Sequence, residues 1–126
     1  MNKVPVRTPG APNPTGPFNH AIRYGNLVFT SGQAGRNRET GQMGDVADQA
    51  RRIFANISAV LEAAGTSLEH AIKVTVFMRN VADRDAFNAV YAELMPQPYP
   101  ARTAAFCELG NPDMLVEMEV VAGVPG

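Results

Sequence analysis

Three short clusters hold the residue types that chemistry needs: Gly16-Pro17-Phe18-Asn19-His20-Ala21, Thr30-Ser31-Gly32-Gln33 and Pro98-Tyr99-Pro100-Ala101-Arg102. The last is followed in the next β-prone run by Val116-Glu117-Met118-Glu119-Val120. Arg102 stands between proline-stiffened backbone and the run Thr103-Ala104-Ala105-Phe106, where an unpaired charge would be costly. A planar fork of donors on a rigid approach suits bidentate capture of a carboxylate. The alternative is an arginine paired structurally with Glu117 or Glu119. In a strand those two glutamates share one face, opposite Val116, Met118 and Val120, so spacing permits either acid/base work or two solvated positions. Ser31 and Gly32 end a strand in small residues, a setting in which backbone N–H groups often face a ligand.

The other chemistry-bearing types have weaker claims. His20 and His70 lack ligand-like spacing to each other or to a cysteine, so no metal site is expected. Cys107, the only cysteine, follows an apolar run and reads as a buried, inert thiol that leaves no partner for an intrachain disulfide. Asn88 lies off the apolar stripe of its helix and reads as surface. Gly32-Gln33-Ala34-Gly35 opens a loop rather than a helix and is not a phosphate cradle.

The elements that must position these residues follow from periodicity. Val46, Ala50, Ile53, Phe54, Ile57, Val60, Leu61 and Ala64 form one helical face, with Asp45 as N-cap, Asp48 in the first turn and Gly65 as the stop. Phe87, Val90, Tyr91 and Leu94 form a second stripe, capped by Asp83 and ended by Pro96, Pro98 and Pro100. Strands are expected at 21–24, 27–31, 72–78, 102–107 and 115–122, with Gly25-Asn26 as a II′ hairpin turn and a further strand near Val4 to Arg7. Residues 1–17 form a proline-rich extended lead-in to a single domain spanning 1–126, and Ser31 to Gly44 reads as a surface loop. The resulting α+β order, β-β-α-β-α-β-β, has two helices that can cover only one face of a sheet. Ile72 and Val74 alternate with Lys73, Thr75 and Phe77, while Val120, Val121 and Ala122 are apolar on both faces. The second face therefore needs a cover, and self-association is the simplest one, another partner being the alternative.

Composition bounds the function. The 126 residues are 45% hydrophobic and 18% charged, with a net charge of −1. Arg23, Arg36, Arg38, Arg51 and Arg52 are scattered over different elements, so no basic patch for nucleic acid is expected. The absence of an apolar leader within Met1 to Gly10 and of any membrane-length run makes a cytoplasmic setting the default expectation.

Taken in order, Gly16-Pro17-Phe18 with Ala21, Gly25-Asn26-Leu27, Thr30-Ser31-Gly32-Gln33, Asn88 before Tyr91, Pro100-Ala101-Arg102 and Glu117-Met118-Glu119 resemble the Rid family (RidA/YjgF). The resemblance implies a chorismate-mutase-like homotrimer with sites in the clefts between subunits. It also implies hydrolysis of 2-aminoacrylate-like enamines and imines to 2-oxo acids and ammonia, without metal or organic cofactor. By the same resemblance Arg102 binds the carboxylate, Glu119 handles the hydrolytic water, and Phe18, Ser31, Gly32 and Asn88 line the pocket. Phe18 departs from the tyrosine the family commonly carries. Some members have a cysteine two residues after the arginine; Ala104 stands there, so no role passes to Cys107. Two other classes stay open, a non-catalytic carboxylate-binding or sensor trimer and a ribonuclease or translation inhibitor. Near-zero charge and the lack of aromatic-plus-basic strips speak against the last.

Overall fold

A computed structural model describes residues 2–37 and 39–126; Arg38 and Met1 lie outside them. The strands are β1 (Lys3–Val6), β2 (Ala21–Tyr24), β3 (Leu27–Thr30), β4 (Gln33–Ala34), β5 (Ala71–Met78), β6 (Ala101–Phe106) and β7 (Val116–Gly123). The helices are α1 (Val46–Ala63), before β5, and α2 (Arg84–Leu94), between β5 and β6. Among the described residues these strands form one mixed sheet in the order β1-β2-β3-β7-β5-β6, with β4 also on β7. Only β5 and β6 run parallel, because α2 carries the chain back between them.

Helix α1 starts where Asp45 accepts from the Asp48 amide and Asp48 returns the bond, a reciprocal capping box. It ends before Gly65, whose φ of 92° suits a residue without Cβ. Its stripe buries Ile53, Ile57, Val60 and Leu61 with Val74, Val76 and Val120 of the sheet. Each such side chain stabilises the fold by about 1.5–3 kcal/mol. Gly25 opens the β2–β3 turn at φ 62° with Asn26 on the negative side, as a II′ turn requires.

Four expectations change. Asp83 precedes α2 but makes no capping bond, because a 3-10 turn at Val81–Asp83 puts its backbone in the helical region. Ser31 to Gly44 is not all loop: Gln33–Ala34 rejoin β7, a two-residue strand too short for a periodic signal. A register shift between Ala71 and Lys73 turns Ile72 outward, so it is half exposed rather than alternating with Val74. Cys107 is exposed, not buried, since it follows the outermost strand β6 and only its amide is held, by the Met78 carbonyl.

Both helices lie on the sheet face that carries Val74, Val76 and Val120. The opposite face presents Phe29, Val121, Lys73, Thr75, Phe77, Glu117 and Glu119 across β3, β7 and β5, with Phe29 exposed. No helix is long and apolar enough to cross a membrane, among the described residues.

Candidate active site

The Thr30-Ser31-Gly32-Gln33 cluster is a crossing from β3 to β4 along the same neighbour. Phe29 pairs with Val121 and Gln33 with Met118, so residues 30–32 stand opposite only 119 and 120. That extra residue is a bulge, a common way to re-aim side chains beside a site. Thr30 Oγ1 accepts the Val120 amide at 3.0 Å and so repairs the ladder where the strands part. Ser31 donates its amide to the His20 carbonyl (2.9 Å) and its hydroxyl to the Asn19 carbonyl (2.6 Å). Its hydroxyl proton is thus committed to fixing the loop that carries Phe18. Gly32 lies against Glu117, and a Cβ there would fall 2.1 Å from the Glu117 carboxylate.

The loop before β2 is tied from several directions. Arg7 donates to the Phe18 carbonyl and to the Asn19 side chain, both at 2.9 Å. Buried His20 accepts the Thr8 amide at Nδ1 and donates from Nε2 to the Pro12 carbonyl at 2.7 Å, the neutral Nε2–H form. His20 therefore pins the proline-rich lead-in against the sheet. A positional role of this kind leaves no spacing signal. The Phe18 ring stays exposed.

These constraints shape an open cleft of about 480 Å³ whose walls include Phe18, His20, Gly32, Arg36 and Glu117. That volume is in the range of small-molecule sites. Its far wall is the β6–β7 loop. Arg79 holds this loop through the Asn111 and Met114 carbonyls, and the Gln49 side chain through the Asp113 carbonyl and the Leu115 amide. Burial first, and the charge of Glu119 second, push the Glu117 carboxyl above the ordinary carboxylate range. Glu119 is on the same sheet face, opposite Thr75, and does not line the cavity. The cavity is thus lined by Glu117, whereas the resemblance implies the water-handling role for Glu119; a period of two cannot separate them.

Arg102 and Asn88 form a second group. Arg102 Nη2 donates to Asn88 Oδ1 at 2.8 Å, and its guanidinium carbon lies 4.7 Å from the Tyr91 ring centre and 5.9 Å from that of Phe87. Asn88 is thus a partner rather than plain surface. Among the described residues Arg102 has no carboxylate partner, so the structural pair with Glu117 or Glu119 is not formed. Register explains why. Arg102 is opposite Val74 and Val120 on the helix-covered face, whereas both glutamates occupy the other.

Two groups of side chains thus stand on one sheet, one around the Arg102 cation and one around the Glu117 carboxylate. The profile of a family described as Endoribonuclease L-PSP matches residues 8–124. A 2-iminobutanoate/2-iminopropanoate deaminase of Dermatophagoides farinae is 42% identical over 119 residues, 92% of each chain. The chain belongs to this family, the RutC/YjgF/Rid family. A RutC family protein of Pyrococcus abyssi is 40% identical across 97% of this chain and 98% of its own. The crystal structure of Escherichia coli TdcF with bound serine matches with a TM-score of 0.92 at 34% identity, over 98% of this chain and 100% of TdcF. This Rid-family chain thus has the L-PSP, chorismate-mutase-like fold, with two helices against a mixed sheet.

Proposed function

We propose that this chain hydrolyses small carboxylate-bearing enamines and imines to 2-oxo acids and ammonia, in sites completed between the subunits of a homotrimer. The observation that carries the reading is Arg102: a half-buried guanidinium steadied by Asn88 and two rings, with no carboxylate partner among the described residues. Such a cation is poised for a bidentate anion from outside. Relatives named for 2-imino acid deamination, and TdcF with its bound amino acid, support the same ligand class.

The chemistry needs few groups. Arg102 fixes the substrate carboxylate, which supplies orientation. Glu117 of a neighbouring subunit takes a proton from water as its oxygen bonds to the imine carbon. It then returns that proton to the nitrogen to give a carbinolamine. Next it carries the carbinolamine hydroxyl proton to the same nitrogen as the C=O bond forms and the C–N bond breaks, releasing ammonia and the 2-oxo acid. A carboxyl held above its ordinary pKa suits these proton steps. Glu119 acts through its charge on Glu117, Gly32 gives room for that carboxylate, and Phe18 walls the cavity. None of these steps calls for a cofactor or metal.

One observation favours a second reading, a binder without turnover: Phe18 offers a ring but no hydroxyl to the cavity. The ribonuclease reading has less behind it. Arg23, Arg52 and Arg79 bond backbone carbonyls and Arg51 pairs with Glu93, which leaves few cations for a phosphate backbone.

The test couples a serine or threonine dehydratase, which releases the enamine, to the purified chain and follows 2-oxo-acid formation. Wild type should exceed the rate without protein, and Arg102→Lys, which keeps charge but loses the fork, should raise KM while the assembly persists. A wild-type rate equal to the background would overturn the enzymatic reading.

A further inference from the structure

The Arg102 group contains a buried residue that the mechanism has not used. Tyr91 is on α2 one turn beyond Phe87 and is almost wholly buried. Its ring meets Phe54 of α1 edge-on at 5.8 Å, and meets Phe87 and Tyr99 at 6.0 and 6.3 Å. Its aromatic neighbours thus come from α1, from α2 itself and from the segment before β6. The Arg102 guanidinium lies over this ring at 4.7 Å, the closer of its two aromatic contacts. The Tyr91 hydroxyl is buried without a hydrogen-bond partner among the described residues, an arrangement that costs stability.

We infer that Tyr91 is the positioning residue of the carboxylate site, a fixed aromatic platform that sets the plane of the Arg102 guanidinium. The inference rests on the reading of Arg102 as the carboxylate-binding group. A guanidinium on a flexible stem loses rotamer freedom whenever it grips an anion. Here much of that freedom is already lost. The ring quadrupole attracts the cation from one side, and the Asn88 oxygen takes Nη2 at 2.8 Å. The rest of the fork is presented to a ligand in one orientation. A ring anchored by Phe54 also ties that orientation to the α1–α2 packing rather than to the exposed edge of β6.

The division between ring and hydroxyl provides the test. Affinity for 2-oxobutanoate is measured by calorimetry, with oligomeric state by light scattering, for wild type, Arg102→Ala, Tyr91→Phe, Tyr91→Leu and the double variant Arg102→Ala/Tyr91→Leu. Tyr91→Phe should bind as wild type and melt at an equal or higher temperature, since it removes only the unpartnered hydroxyl. Tyr91→Leu should weaken binding about tenfold, and in the Arg102→Ala background should add nothing. If Tyr91→Leu does not fold, replacement of Tyr91 by pentafluorophenylalanine keeps the shape and reverses the ring quadrupole; a similar loss is expected. Three results would overturn the platform: full affinity in the fluorinated or leucine variant, an equal loss in Tyr91→Phe, or an additive loss in the double variant. Wild-type affinity in Arg102→Ala would instead overturn the reading of Arg102 beneath it.

Discussion

Arg102 and Glu117 stand on opposite faces of the same sheet. Arg102 shares the helix-covered face with Val74 and Val120, and Glu117 shares the other face with Phe77. No rotamer change brings them together in one chain. A site that uses both must take them from different subunits, which the uncovered face with its exposed Phe29 and the outermost position of β6 permit.

Subunit mixing tests this directly. Chains carrying Arg102→Ala and chains carrying Glu117→Gln should each be nearly inactive as homotrimers. Co-expressed in equal amounts, they should recover about a quarter of the wild-type rate, because random assortment leaves that share of interfaces with both groups intact. Light scattering should report three times the monomer mass. A mixture as inactive as its parents would place the two residues in separate functions.

Glu117 should govern the acid side of the pH profile. Because burial and then Glu119 raise its pKa, turnover should fall on acidification at a pH above the ordinary carboxylate range. Glu117→Gln should cut turnover roughly a hundredfold and abolish that limb, with 2-oxobutanoate affinity little changed. Stability carries the opposite sign. The folded chain holds this proton more tightly than the unfolded one. Its contribution is complete below the unfolded pKa and is lost as pH rises through the folded value. Relative to wild type, Glu117→Gln should therefore melt higher at neutral pH than it does in acid. A wild-type decline in turnover centred at or below the ordinary glutamate pKa would count against the buried carboxyl.

Much of this was legible in the sequence because it follows from local chemistry. The α1 stripe, its Asp45 cap and the Gly65 stop need only spacing and backbone rules. At Arg102 the prolines and apolar neighbours made carboxylate capture legible only as one of two alternatives, beside a structural pair with Glu117 or Glu119. The choice between Glu117 and Glu119 was not, since both alternate to the same face and only the bulge at 30–32 brings Gly32 against one of them. Asn88, named only through the resemblance, was hidden from periodicity for a related reason: a polar residue off the apolar stripe looks solvated until the β6 register puts Arg102 beside it. The exposure of Cys107 depends on β6 ending the sheet, which pairing order alone decides.

Gly32 offers a variant that spares every polar group. A methyl at this position would meet the Glu117 oxygen at 2.1 Å and its carboxyl carbon at 2.9 Å. The contact involves the far end of a flexible side chain, so the fold should survive while the carboxylate moves. Gly32→Ala should lower kcat at least tenfold with a smaller effect on KM, as a misplaced reacting group does. A melting temperature close to wild type would separate this from unfolding, and an unchanged kcat would show that the carboxylate need not occupy its observed position.

Phe18 decides between enzyme and binder. Arg7 and the Ser31–Asn19 bond fix the backbone that carries it, so a substitution at the ring edge should change the cavity without moving the loop. Phe18→Tyr adds a hydroxyl where the resembling family commonly has one, facing the same space as Glu117. A hydrogen bond made only as water attacks lowers the barrier, and one of about 1 to 1.5 kcal/mol corresponds to roughly a tenfold gain in turnover. The dehydratase-coupled assay should show wild type already above background and Phe18→Tyr faster, with 2-oxobutanoate affinity nearly equal in both. If wild type matches the background and Phe18→Tyr exceeds it, the chain is a carboxylate binder whose missing hydroxyl cost it turnover. If neither exceeds background while both bind 2-oxobutanoate through Arg102, the sensor reading replaces the hydrolytic one.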